Sequence, residues 1–254
     1  MIRKEIIIND LRVKYFESEN FNKENAFIFL HGWKSESSHL KPIFENLNNY
    51  IALDLPGFGG SDLPKEAWGT GGYANFLKSF LNKLEVQNPI LVGHSFGGAA
   101  IIKYIADGGI VKKIILIDSA GIRKNGIKIQ AYKVIAKIFK LPFYLPGLNM
   151  LEKRFRKGFY RFIDSEDYIE AGNLTESYKK IIREDLSEEM GKINIPTILI
   201  WGENDKATPI SNAKEMNELI RNSELHIIKN AGHFSFIDQK EEFNKIFLNV
   251  ITND

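Results

Sequence analysis

Short runs of apolar residues recur along the chain and are separated by stretches with helical spacing. These runs are too short for ordinary helices and have the near-continuous hydrophobic character of strands buried on both faces of a sheet. Six such runs cover residues 26–30, 51–53, 89–92, 113–117, 196–201 and 225–228. Before them, residues 6–8 and 11–16 flank Asn9-Asp10, a pair suited to the tight turn of a β-hairpin. The pattern therefore predicts a hairpin followed by a largely parallel sheet.

Between the apolar runs, hydrophobic residues spaced three and four positions apart predict amphipathic helices. The predicted helices cover residues 73–84, 99–106, 210–220 and 241–250. Strand and helix thus alternate, which implies right-handed crossovers and an α/β fold with a mostly parallel, doubly wound sheet. The stretch Gly69–Gly72 predicts a flexible linker, with Thr70 as a cap of the helix that follows.

The alternation stops after Asp118 and resumes near Gly191. We therefore expect a core made of residues 1–118 and 191–254, and a helical lid (cap) insertion over residues 119–190. The first half of this insertion is rich in Lys and Arg and the second half in Asp and Glu. Charge alone leaves two interpretations open: the halves are solvated or neutralise each other, or the basic half attracts anionic substrates or a membrane surface.

Composition narrows the classes of function. The formal charge of +2 is too balanced to predict a nucleic-acid binder, and the absence of cysteine excludes disulfides, thiolate zinc sites and cysteine nucleophiles. The sequence has no apolar run of about 18 residues and no signal-peptide pattern. No metal-ligand spacing or phosphate loop occurs either. We expect a cytoplasmic protein without stable membrane insertion, metal or cofactor, acting on a small molecule.

The segment Gly93-His94-Ser95-Phe96-Gly97 is a Gly-x-Ser-x-Gly motif. The motif alone is weak evidence, but here it directly follows an apolar run and precedes a helical run, which is the strand-turn-helix context that it requires. The sharp turn demands small flanking residues and leaves the serine hydroxyl at a helix N-terminus, where the helix dipole favours negative charge. Ser95 is therefore a candidate nucleophile.

A serine nucleophile needs a base to take its proton and a carboxylate to orient that base. Asp205 follows the run 196–201, at the end of a predicted strand where open α/β sheets collect their sites. His233 lies in the loop after the next predicted strand. The order Ser, Asp, His is the one found in folds with this serine turn. His31 and His94 lie inside motifs and are interpreted as structural.

Several blocks of the sequence resemble the α/β-hydrolase superfamily, in the family's order. The blocks are Leu30-His31-Gly32-Trp33, Asp54–Ser61, Gly93–Gly98, Trp201–Asp205 and Ala231–Phe234.

The resemblance implies an α/β-hydrolase fold with Ser95 as nucleophile, Asp205 as acid and His233 as base. It also implies an oxyanion hole made by the backbone N–H groups of Phe96 and Trp33. Some family members place the acid where this chain has Asp118, which keeps that residue as an alternative.

The predicted function is hydrolysis of a small carboxylic ester or related acyl compound through an acyl-Ser95 intermediate. A carbon–carbon bond hydrolase of ring-fission dienoates is an alternative, although such enzymes commonly carry Asn where this chain has His94. Acyl transfer and cofactor-free haloperoxidase-like activity use a similar triad. A non-catalytic protein that binds a small ligand is the alternative from a different class. Ser95 argues against the family members that use an Asp nucleophile.

Overall fold

The computed structural model describes residues 1–123 and 174–252. Eight strands lie within these ranges, close to the positions that the apolar runs predict. The strands are β1 (Ile2–Ile8), β2 (Leu11–Glu17), β3 (Phe27–Leu30), β4 (Tyr50–Leu53), β5 (Ile90–His94), β6 (Lys113–Ile117), β7 (Thr197–Gly202) and β8 (Ser223–Ile228).

The strands form one sheet in the order β1-β2-β4-β3-β5-β6-β7-β8. β1 pairs antiparallel with β2, and β2 pairs antiparallel with β4, whereas every other neighbouring pair is parallel. The hairpin turn has positive φ at both Asn9 and Asp10, 49° and 63°, as the tight turn requires. The predicted hairpin and mostly parallel sheet are confirmed.

The central strands are covered on both faces, but the last strand is not. Every residue of β4, β5, β6 and β7 is buried, in line with the predicted pattern. In β8 only Ile228 is buried, and Ile227 is 39% exposed. The expectation that the run 225–228 is buried on both faces is therefore wrong, because β8 lies at the edge of the sheet.

Eight α-helices lie in the described part of the chain. They are α1 (Lys41–Phe44), α2 (Thr70–Leu84), α3 (Phe96–Ala106), α4 (Thr175–Ile181), α5 (Ser187–Met190), α6 (Ile210–Leu219), α7 (Ser235–Asp238) and α8 (Lys240–Thr252). The four helices predicted from apolar spacing correspond to α2, α3, α6 and α8. None of the helices in the two described ranges is long and apolar enough to span a membrane.

Helix α2 begins earlier than its apolar spacing predicts. Thr70 is its first residue and Gly69 is its N-cap, so the predicted flexible linker over residues 69–72 and the predicted role of Thr70 as the cap are both wrong. The Glu184 carboxylate accepts hydrogen bonds from the Thr70 N–H, at 2.9 Å, and from the Thr70 hydroxyl. An anionic acceptor at a helix N-terminus satisfies a free N–H group and suits the helix dipole. A carboxylate 114 positions away thus supports this helix start.

Contacts between residues divide the chain into two units, one of Met1–Ile122 with Glu184–Asp254 and one of Arg123–Arg183. The first unit contains the whole sheet and every candidate site residue. Helix α4 belongs to the second unit. Most of the predicted lid, residues 124–173, lies outside the described residues, so the division into a core and a helical lid stays a prediction.

Candidate active site

Ser95 occupies the sharp turn between strand β5 and helix α3. Its backbone has φ 52° and ψ −117°, a conformation that L-residues rarely adopt and that is held only by surrounding structure. The Ser95 N–H donates to the Ile117 carbonyl at 3.0 Å, and the Ser95 carbonyl accepts from the Ala120 N–H at 3.0 Å. The end of the neighbouring strand β6 therefore holds the strained turn in place.

The glycines on either side of Ser95 are required by close backbone packing. A Cβ atom at Gly93 would lie 2.6 Å from the Gly98 nitrogen, and one at Gly97 would lie 2.3 Å from the Leu30 carbonyl oxygen. Both distances are far below van der Waals contact with atoms that cannot swing aside. The Gly-x-Ser-x-Gly pattern thus reflects steric necessity at this turn.

The structure brings Ser95, His233 and Asp205 into one chain of contacts. His233 Nε2 lies 3.0 Å from Ser95 Oγ, and His233 Nδ1 lies 2.8 Å from Asp205 Oδ2. A carboxylate only accepts hydrogen bonds, so we assign the proton of the neutral ring to Nδ1. Nε2 is then left to accept the Ser95 hydroxyl proton. This is the arrangement of a nucleophile, a base and an orienting acid.

Asp205 is buried and held by the loop that carries it. Its carboxylate accepts from the Ala207 N–H at 2.8 Å and from the Thr208 N–H at 2.9 Å. The Thr208 hydroxyl donates to Oδ2 at 2.6 Å. Burial acts to raise the pKa of Asp205, but contact with His233 and the Thr208 hydrogen bonds outweigh it, so its pKa is lowered. Asp205 is therefore ionised at neutral pH and suited to stabilise an imidazolium.

Sequence reasoning did not single out Thr208. The available signal was its position three residues after Asp205, where a carboxylate commonly accepts from backbone N–H groups of its own turn.

His94 joins the serine turn to the histidine loop. Its Nε2 lies 2.8 Å from the His233 carbonyl oxygen, to which it donates, and its ring centroid is 4.9 Å from that of His233. Burial, together with the nearby His233, lowers the pKa of His94 to about 3. The ring is therefore neutral at neutral pH, and the structural role expected for it agrees with these contacts.

His31 fixes the loop that follows strand β3. The Leu55 N–H donates to His31 Nε2 at 3.0 Å, which leaves Nδ1 to donate to the Gly32 carbonyl at 2.7 Å. Burial lowers the pKa of His31 to about 4, so this ring too is neutral at neutral pH. Gly32 lies against Ser95: a Cβ atom there would be 3.2 Å from Ser95 Cβ. The loop thus approaches the serine closely because it carries glycine at this point.

Trp33 and Phe96, the two residues predicted to supply the oxyanion hole, lie beside each other. Their ring centroids are 5.4 Å apart in an edge-to-face arrangement, and Trp33 also packs edge-to-face on Phe58 at 4.9 Å. Such pairs stabilise a fixed ring orientation. The structure brings these two residues together next to Ser95, whereas the role of their N–H groups stays a prediction.

Asp118, the alternative acid, makes its contacts elsewhere. Its Oδ1 accepts from the Gly202 N–H at 2.8 Å, and its Oδ2 accepts from the Ser235 hydroxyl at 2.6 Å and N–H at 3.2 Å. Burial raises the pKa of Asp118 to about 7, although these hydrogen bonds oppose the shift. His233 Nδ1 contacts Asp205 and not Asp118, so the geometry favours Asp205 as the acid.

The Asp54 carboxylate joins two segments of the chain, because it accepts from the Ser37 N–H at 2.9 Å and from the Gly60 N–H at 3.1 Å. Within residues 1–123 and 174–252, no three His, Asp or Glu side chains are grouped so that they could hold a metal ion.

Comparison with known proteins identifies the family of this chain. Residues 27–246 match the profile of the Alpha/beta hydrolase family. The chain is 29% identical over 259 residues to the AB hydrolase superfamily protein YisY of Bacillus subtilis, with 90% of this chain and 92% of that protein covered. It is 24% identical over 240 residues to 2-hydroxy-6-oxononadienedioate/2-hydroxy-6-oxononatrienedioate hydrolase 1 of Pseudomonas putida, with 87% and 84% covered.

Solved structures share the same architecture. An esterase from Exiguobacterium antarcticum superposes with a TM-score of 0.76 at 22% identity, with 99% of this chain and 100% of that chain covered. A bromoperoxidase from Bacillus anthracis gives the same values. At this identity the likeness establishes the α/β-hydrolase fold. Since the family profile covers most of the sequence, this chain belongs to the alpha/beta hydrolase family.

Proposed function

We propose that this protein is a serine hydrolase that cleaves a small carboxylic ester or related acyl compound through an acyl-Ser95 intermediate. The observation that carries the proposal is the continuous line of contacts from Ser95 Oγ through His233 to the buried Asp205 carboxylate, at 3.0 and 2.8 Å. Both distances are within the hydrogen-bond reach that proton transfer requires.

In the proposed acylation step, His233 Nε2 takes the Ser95 hydroxyl proton while Oγ attacks the substrate carbonyl carbon. The resulting imidazolium is stabilised by the ionised Asp205. The backbone N–H groups of Phe96 and Trp33 are proposed to donate to the oxyanion that forms, and one such donor is worth about 3 kcal/mol of transition-state stabilisation. His233 then gives its proton to the departing alcohol oxygen as the ester bond breaks, which leaves acyl-Ser95.

In the proposed deacylation step, a water molecule takes the place of the alcohol. His233 accepts one water proton while the water oxygen attacks the acyl carbon, and the same ring returns the proton to Ser95 Oγ as the acid leaves. The neutral form of His94 supports this cycle, because a second cation beside His233 would disfavour the imidazolium.

The direct test is turnover of p-nitrophenyl acetate and p-nitrophenyl butyrate by the wild type and by Ser95→Ala. We expect measurable p-nitrophenol release by the wild type and release at the uncatalysed rate by the variant. Equal activity of the two proteins would refute the proposal. A series of esters with longer acyl chains would then measure the size of the acyl site.

A carbon–carbon bond hydrolase is the second candidate. It is favoured by the Pseudomonas putida relative, whose name describes hydrolysis of 2-hydroxy-6-oxononadienedioate and 2-hydroxy-6-oxononatrienedioate. Loss of the absorbance of a 2-hydroxy-6-oxodienoate, measured beside the ester assay, separates the two candidates. A ratio of kcat/KM values that favours the dienoate would assign the chain to the second.

A fluorophosphonate probe distinguishes both enzymes from a non-catalytic binding protein. We expect covalent labelling of Ser95, detected by peptide mass spectrometry, because the probe reacts with activated serine hydroxyls. Tight binding of a small ligand without any labelling would instead support the binding protein.

A further inference from the structure

Asp118 is a buried carboxylate that the proposed mechanism does not use. Asp118 follows strand β6 and is fully buried. Its φ is 44°, an uncommon backbone conformation for a residue other than glycine. Burying a carboxylate is unfavourable unless several donors converge on it. Here three donors from two other segments of the chain do so. Packing alone therefore does not explain the contacts of Asp118.

The first segment that Asp118 contacts leads to the acid. Gly202 lies three residues before Asp205. Asp118 Oδ1 accepts from the Gly202 N–H at 2.8 Å. Its own carbonyl oxygen lies 3.0 Å from the Thr208 hydroxyl, which also lies 2.6 Å from Asp205 Oδ2. Because the single proton of the Thr208 hydroxyl is donated to Asp205, Asp118 holds this loop through the Gly202 N–H, where the loop leaves β7.

The second segment that Asp118 contacts carries the base. Ser235 stands two residues after His233, and both its N–H and its hydroxyl donate to Asp118 Oδ2, at 3.2 and 2.6 Å. Ser235 is fully buried. Since a residue two positions away moves with the backbone of His233, displacement of Ser235 would move the imidazole relative to Asp205 and Ser95.

We propose that Asp118 is a positioning residue, whose carboxylate ties the Asp205 loop to the His233 loop and so holds the imidazole at hydrogen-bond distance from both Asp205 and Ser95. This inference rests on the proposed function, because it assumes that His233 acts as the base. Asp118 itself contacts neither reacting atom. Its effect is transmitted through Ser235 and Gly202.

The test compares Asp118→Asn, Ser235→Ala and the double variant on p-nitrophenyl acetate. Asparagine keeps the shape and can still accept from Gly202, but its NH₂ group would face the Ser235 N–H, so two donors would oppose each other. We expect kcat to fall about 10- to 100-fold, as small misplacements of catalytic groups do, with little change in KM. The double variant should lose no more than Asp118→Asn alone, because both substitutions break the same connection.

Glu17→Gln is the matched control for loss of a buried carboxylate. Glu17 is also buried, but it pairs with Lys4 at the other end of the sheet. We expect this variant to keep the kcat of the wild type. Folded Asp118→Asn and Ser235→Ala proteins with unchanged kcat, or losses that multiply in the double variant, would overturn the inference. A rise in KM at constant kcat would overturn it as well.

A spectroscopic measurement keeps the inference testable apart from activity. The proton shared by His233 Nδ1 and Asp205 should give a downfield proton NMR signal, assigned by its absence in Asp205→Asn. We expect this signal to shift or broaden in Asp118→Asn and in Ser235→Ala, and to stay in place in Glu17→Gln. An unchanged signal would contradict the role of Asp118, whereas a wild type without ester turnover or Ser95 labelling would contradict the proposed function.

Discussion

His94 and His31 are buried next to the candidate nucleophile and kept neutral by that burial. Each ring donates one hydrogen bond to a backbone carbonyl oxygen, that of His233 for His94 and that of Gly32 for His31. Neutral rings can serve in this way because one nitrogen carries a proton without a net charge. At the scale of single residues, these histidines hold the loops around Ser95 in place.

His94→Phe tests that contribution at one residue. Phenylalanine retains a ring for packing but cannot donate to the His233 carbonyl, which loses its partner in a buried position. We expect the free energy of unfolding to fall by about 1–3 kcal/mol and kcat for p-nitrophenyl acetate to fall about tenfold. Urea unfolding and steady-state kinetics measure the two effects. His39→Phe is the control: it removes an exposed imidazole that contacts Ser35 Oγ at 3.0 Å, and it should leave kcat unchanged and the free energy of unfolding within about 0.5 kcal/mol of the wild type. Wild-type values for His94→Phe would refute the expectation.

Asp205→Asn tests the orienting acid. Asparagine can present an NH₂ group to His233 Nδ1, which favours the wrong tautomer and leaves Nε2 protonated and unable to act as the base. By analogy with a serine protease triad, we expect kcat to fall about 10⁴-fold with the fold intact. Steady-state kinetics measure the loss of kcat, and circular dichroism checks that the variant is folded. Retention of more than about a tenth of the activity would assign the orienting role to another group.

At the scale of elements, the strand-turn-helix unit of β5 and α3 depends on how closely α3 approaches strand β3. Gly97 is one point of close approach, because a Cβ atom there would meet the Leu30 carbonyl oxygen at 2.3 Å and the His31 carbonyl oxygen at 2.9 Å. Those oxygens belong to the backbone of β3 and its following loop, which cannot yield without disturbing the sheet. The packing of α3 against β3 therefore requires this glycine of the motif.

Gly97→Ala should therefore destabilise the protein. We expect the free energy of unfolding to fall by about 1–3 kcal/mol, as overpacking of a tight site typically causes, together with a loss of ester hydrolysis. Gly71→Ala is the matched control within helix α2, where the nearest atom to a new Cβ is Lys103 Cε at 3.9 Å. Because alanine favours helix and has free space there, that variant should be as stable as the wild type or more so. Equal stability of the two variants in thermal unfolding would contradict the steric argument.

At the scale of the whole molecule, buried titratable groups make stability depend on pH. Burial lowers the pKa of His31 from 6.5 to about 4 and that of His94 from 6.5 to about 3. Below about pH 6.5 the unfolded chain binds protons on both rings while the folded protein does not, so acidification favours unfolding. The raised pKa of Asp118, about 7 against 3.8, acts in the opposite direction over much of the same range.

Since two histidines oppose one carboxyl group, we expect Tm to fall as the pH is lowered from about 6.5 to 4. Calorimetry across this range measures the slope. His94→Phe should flatten the slope by removing one histidine, and Asp118→Asn should steepen it by removing the group that opposes them. A Tm that rises on acidification, or variants with the wild-type slope, would contradict the assignment of these groups.

Most of the sheet and the three candidate catalytic residues could be predicted from the sequence, for a physical reason that is local. Buried strands need apolar runs, and a serine turn between a strand and a helix needs glycines on both sides. Both requirements restrict which residue types occur within a few positions of the strand or turn concerned. Ser95, Asp205 and His233 follow predicted strands, and the structure brings them together as their order implied.

The features that could not be predicted depend on partners far apart in the chain. Glu184 supports the start of helix α2 from 114 positions away, and Asp118 contacts Ser235 across 117 positions. The exposure of β8 follows from its place at the edge of the sheet. The sequence by itself thus determined the alternation of elements and the residues able to do chemistry, because spacing and residue type are local properties. Only the tertiary structure decided which carboxylate meets His233 and what holds both in place, because such hydrogen bonds leave no periodic pattern along the chain.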